Sequence, residues 1–351
     1  MSFDRRTVLK ALGITGTIGL TGTAQTRQRS HEGDDNDRAR RETQIGLDVR
    51  VRQKRDRSVH WILPGERRLS PRVFGTPDNP QFGSARLANK IDQSDNDNVT
   101  DLLSTFPLQV GVPDGARNVE DGAFTTTKIP TPFSDSAAAT AGELDVTYMD
   151  RGGASHGPPP GDDVRFDVRF EDPAGNVYEA DVTGLEVEGP IHETGGGVMT
   201  NAVIHGDTGI GTPLEPRQYL YGAFWGVCDL HVNGELFDEK RAVHFMTTEV
   251  VRDRDYRLAI DEELPLGDQA FAGREHHTHG IFPPVKATAD GPVFDPVAPP
   301  FELPNGNKQP FIHVMFDEDE LHTVRPPHGK GGQEEKQHPD EREDDEHEDN
   351  R

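Results

Sequence analysis

Apolar and charged positions alternate most regularly along Val164-Arg165-Phe166-Asp167-Val168-Arg169-Phe170. That is the period-two pattern of a strand with one buried and one wet face. Pro173-Ala174-Gly175-Asn176 supplies turn residues, and residues 177–182 can return as the partner strand. A second hairpin centres on Asn233-Gly234, a pair that tolerates the positive φ angles of a type I′ turn. It joins residues 219–232 to 236–250. Residues 311–316 are apolar on both faces, which predicts a central strand. Helical periodicity is scarce after residue 100, and 99–106 allows one short helical turn. The pattern predicts an all-β sandwich or barrel of roughly 8 to 12 short antiparallel strands.

Polarity then sets the domain plan. Residues 25–57 are charged and nearly free of large apolar side chains, and read mostly as a disordered linker. Residues 58–325 form the expected β-rich domain, with the densest strand signals at 136–325. Residues 326–351 have almost no apolar side chain and read as a disordered acidic tail. No internal repeat is present.

At the N-terminus, Asp4-Arg5-Arg6-Thr7-Val8-Leu9-Lys10 precedes a weakly apolar, Gly/Thr-rich run. The stretch resembles a twin-arginine export signal over about the first 24 residues. The resemblance implies export of a folded chain and an extracellular location, free or loosely held on the cell envelope. The apolar run is roughly 14 residues, short of the 20 or so needed to span a bilayer. Gly22-Thr23-Ala24 offers small residues for cleavage after Ala24. No cysteine lies near that point and no apolar segment follows the core, so no stable membrane anchor is expected.

Charge sharpens the picture. The chain has 37 Lys and Arg against 62 Asp and Glu, a formal charge of −25. Loss of the first 24 residues removes Arg5, Arg6 and Lys10 but only Asp4, leaving about −27. Nine of the basic residues are Lys and the rest Arg. Excess carboxylate and scarce Lys are similar to the surfaces of salt-adapted, halophile-type proteins. At molar salt the Debye length is about 3 Å and the self-repulsion is screened. Such acidity argues against nucleic acid as a partner. Cys228 stands alone, so no intrachain disulfide forms and an exported fold must rest on its core.

Glu275-His276-His277-Thr278-His279 is the foremost chemical candidate. In an extended segment Glu275, His277 and His279 share one face, and two imidazoles two residues apart can share a metal. Two histidines and a carboxylate suit a divalent metal such as zinc or non-haem iron. His205 or Asp207, in the Gly-rich stretch His205-Gly206-Asp207-Thr208-Gly209, can add a further ligand. The competing reading is a set of solvated histidines on a loop between Gly273 and Gly280.

Other patterns fail. A cupin site needs a Glu four or five residues after His279, where Phe282-Pro283-Pro284 stands instead. Cys228-Asp229-Leu230-His231 has the Cys and His of a blue-copper site without its closely following Met, and Cys228 reads as a small buried hydrophobe. Neither a Gly-x-Ser-x-Gly elbow nor a His-Glu-x-x-His metalloprotease motif occurs. Tyr219, Tyr221, Phe224 and Trp225 read as core rather than as a carbohydrate platform, since adjacent strand residues point oppositely. Three classes of function remain. The first is a binding module for an envelope component, polysaccharide or partner protein. The second is an exported metal-dependent enzyme acting at His277 and His279. The third is a structural envelope protein.

Overall fold

The computed structural model describes residues 48–55, 58–81, 112, 114–150, 162–185, 197–205, 208, 218–249, 252, 276–288 and 291–324. The strands in chain order are β1 (Asp48–Gln53), β2 (Ser58–Ile62), β3 (Gly75–Thr76), β4 (Asn79–Pro80), β5 (Arg117–Glu120) and β6 (Ala123–Thr127). They continue as β7 (Ala137–Met149), β8 (Asp163–Glu171), β9 (Val177–Leu185), β10 (Val198–Ile204), β11 (Gln218–Val232) and β12 (Glu235–Glu249). The last are β13 (His276–Phe282), β14 (Val285–Thr288), β15 (Gly291–Phe294), β16 (Ile312–Phe316) and β17 (Glu320–Val324). One helical turn, α1 (Pro71–Phe74), precedes β3.

Eight of these strands close an antiparallel barrel in the order β11-β9-β8-β7-β2-β16-β13-β12, with β12 returning to β11. β1 and β17 extend β7, β10 extends β11, and β14 and β15 extend β12. Both expected hairpins form, as β8–β9 and β11–β12. Asn233 and Gly234 sit at φ 54° and 80°, as a type I′ turn requires. β16 lies between β2 and β13 with every residue buried. β1, within the stretch read as linker, pairs with β7 and β17, and Val49 and Val51 enter the core. The helical turn expected at 99–106 lies outside the described residues.

Alternation decides what fills the barrel. Trp61, Tyr148, Phe170, Tyr178, Phe224, Phe245, Phe282 and Phe316 turn inward and interlock. The Phe170–Tyr178 rings stack at 5.2 Å, and Phe166 meets Phe245 edge-on at 4.7 Å. An eight-stranded barrel is just wide enough to be filled by its own side chains. Cys228 is part of this core, as expected. Gly280 is the close-approach point of β13, where an added Cβ would stand 2.2 Å from Phe245 Cζ. Chemistry therefore belongs on the outside of the wall.

Between β2 and β7 the chain builds a small lobe from α1, β3 to β6 and a 3-10 turn at Asp114–Ala116. Leu69, Val73, Phe74, Val112, Ala116 and Phe124 form its separate core.

Candidate metal centre

Thr278, Gly280 and Phe282 of β13 face the barrel interior, so His277, His279 and Ile281 face outward. His279 pairs with Met246 of β12 on one side and with Met315 of β16 on the other. Ile281 pairs in the same way with His244 and His313. Across β16, His60 of β2 stands opposite Met315.

This symmetry is written in the chain. His244-Phe245-Met246 and His313-Val314-Met315 are both His-apolar-Met, with the middle residue in the core. β12 and β16 both run antiparallel to β13, so the same tripeptide arrives on each side in the same register. His244, Met246, His313 and Met315 were not singled out by reading the β13 histidines alone. The repeated His-x-Met spacing is the signal that finds them.

The outward face is nonetheless closed to solvent. His277, His279 and His313 are only 2%, 1% and 2% exposed. The His277 and His279 ring centres are 5.4 Å apart, and those of His279 and His313 5.7 Å. A metal held about 2.0–2.1 Å from each nitrogen places two imidazole centres roughly 5 to 6 Å apart. The spacing fits a shared ion. Phe133 packs edge-on against His313 at 5.3 Å, and Trp225 stacks on His244 at 4.5 Å.

Hydrogen bonds set which nitrogen carries a lone pair. His244 Nδ1 donates to the Phe224 carbonyl at 2.9 Å, since a carbonyl only accepts. Its Nε2 lies 3.0 Å from Met246 Sδ. His313 Nδ1 makes a long contact of 3.4 Å to the Pro132 carbonyl, and its buried Nε2 has no hydrogen-bond partner. Both nitrogens of His279 are buried without one. Each such atom costs about 1–3 kcal/mol unless something fills its valence. Asp317 accepts from His60 Nδ1 at 2.8 Å and faces His277 Nδ1 at 3.7 Å. That carboxylate–imidazole arrangement orients metal-binding rings.

Electrostatics disfavour the protonated forms of His279 and His313. Burial holds His279 well below the usual imidazole range, with His277, His313, His244 and Arg252 adding to the effect. Burial, then Arg252, does the same to His313. Neutral imidazole is the ligating form. The Arg252 guanidinium, donating to Ser134 O at 2.6 Å, also disfavours a highly charged cation here.

The residues expected to complete the set fare differently. The extended segment and the shared face of His277 and His279 are present, and the histidines are buried rather than on a solvated loop. Glu275 and Asp207 lie outside the described residues. His205 follows the end of β10, and β11 and β12 lie between that strand and β13. Among the described residues no three His, Cys, Asp or Glu side chains converge as a finished cage. The wall is a donor-rich surface that needs ring rotation or thioether ligands to close around an ion.

On the opposite face of β13 a polar chain pins the register. Tyr148 Oη contacts Thr247 Oγ1 at 3.3 Å, Thr247 contacts Thr278 Oγ1 at 2.7 Å, and Thr278 donates to buried Asp319. Burial raises the Asp319 carboxyl above its usual range. Among the described residues no helix is long and apolar enough to cross a membrane. No family model, curated protein or solved structure matches this chain.

Proposed function

We propose that this chain is an exported binding module for a soft transition metal, copper(I) foremost, held on the outer wall of its barrel. The observation that carries the reading is His279. Its two buried nitrogens lack partners, it lies between His277 and His313, and Met246 and Met315 occupy the paired positions on either side. Thioethers favour copper(I), whereas zinc and iron sites are built mostly from imidazole, carboxylate and thiolate. A monovalent ion also suffers least from Arg252. Burial of the three histidines favours holding the ion over turnover, because a catalytic metal keeps an open position for substrate. Export of a folded chain through the twin-arginine route fits a protein that carries its metal outward, released or loosely held at the envelope.

X-ray absorption by the copper-loaded full chain tests the ligand set. The proposal requires nitrogen scatterers with imidazole signatures and at least one sulfur shell. A shell of oxygen and nitrogen only, or a spectrum unchanged by Met246→Leu with Met315→Leu, contradicts it.

A further inference from the structure

Arg67 is the least satisfied cation of the described residues. Its side chain is 1% exposed, and Nε, Nη1 and Nη2 are all buried without a hydrogen-bond partner. The main chain of Arg67 is anchored. Arg67 N donates to Thr127 Oγ1 at 3.1 Å, and Thr127 N donates to Arg67 O at 2.9 Å, tying the residue to β6. Its Cζ lies 5.4 Å from the centre of the Phe74 ring. A π face attracts the charge but offers no acceptor for five N–H groups.

The neighbours deepen the imbalance. Arg117 shares the Phe74 ring at 5.1 Å, but it donates to the carbonyls of Val112, Phe74 and Gln81. Arg252 donates to Ser134 O and adds a third positive charge. Asp135 is the carboxylate whose charge favours Arg67, yet its Oδ2 accepts the Arg68 backbone N–H at 2.6 Å and makes no bond to Arg67. Burial lowers the Arg67 guanidinium to about 9, which leaves it charged at neutral pH. Three clustered guanidiniums inside a chain of charge −25 concentrate positive charge where an anion is needed to balance it.

We infer that Arg67 is the recognition group of a buried oxyanion site between the small lobe and the barrel, taking a carboxylate or a phosphate on its free N–H fork. Two parallel N–H donors match two oxygens of either group in a bidentate pair. Arg252 bears on both Arg67 and the His279–His313 pair, so the anion sits within electrostatic reach of the metal wall. The inference rests on Arg67 and stands whether or not a metal binds.

Thermal unfolding of the full chain in constant concentrated potassium chloride, with added formate or inorganic phosphate at matched ionic strength, tests it. One of the two anions should raise the midpoint along a single-site saturation curve, and which one does so separates carboxylate from phosphate. Arg67→Met should abolish the saturable rise. Arg67→Lys, which keeps the charge without the fork, should raise the half-saturating concentration at least tenfold and serves if the Met variant does not fold. A midpoint indifferent to both anions overturns the inference. Unchanged half-saturation in either folded variant is equally fatal to it.

Discussion

The rings of His279 and His313, on adjacent strands β13 and β16, sit 5.7 Å apart with 32° between their planes. Neither ring can take a proton readily in the fold, because both are buried and share the field of Arg252. The unfolded chain protonates them near the ordinary 6.5, whereas the folded chain does so only far below it. Their contribution to stability is full above 6.5 and is lost as pH falls through the folded values. Stability therefore falls as pH drops through that window. Denaturant melts of the metal-free protein should show stability dropping below 6.5, with a shallower slope in His313→Gln. A slope identical to wild type in that variant contradicts the neutral-ring account. Asp319 acts oppositely, since its raised carboxyl is most stabilising below 3.8 and loses that contribution as pH rises.

Gly280 ties the wall to the core. An Ala there puts its Cβ 2.2 Å from Phe245 Cζ, so Phe245 must leave its place among Phe224, Phe282 and Phe316. Gly280→Ala should cost about 1–3 kcal/mol by overpacking, against a small gain from restricting the unfolded chain. Adding Phe245→Leu should recover part of the loss. Equal or greater stability of the single variant would show that the barrel yields there more easily than its packing implies.

Much of the barrel is legible in the sequence where local rules act alone. The alternation from Val164 to Phe170 specifies β8, and Asn233-Gly234 specifies the turn between β11 and β12. β1 is not legible, because Asp48-Val49-Arg50-Val51-Arg52 lies in charged surroundings and its two valines count only once β7 and β17 flank it. The candidate site is half legible for the same reason. His277 and His279 lie two residues apart on one strand and can be read locally. His313, Met315, His244 and Met246 become their neighbours only through the register of β13 with β12 and β16, a non-local fact. The Arg67 imbalance is invisible in sequence, since an arginine in a charged chain carries no sign of burial.

Export is tested at the N-terminus. Changing Arg5 and Arg6 together to Lys should leave an uncleaved precursor inside the cell, because the arginine pair is what the translocation machinery reads. Accumulation of the processed chain outside the cell at wild-type levels is incompatible with the assignment.

Copper(I) affinity, measured by chelator competition on the full chain and on His279→Ala, tests the central claim most directly. The account predicts one ion per wild-type chain and at least about a hundredfold weaker binding in the variant. His322→Ala, on the exposed side of β17, should bind like wild type. Equal affinity in wild type and His279→Ala would contradict the account.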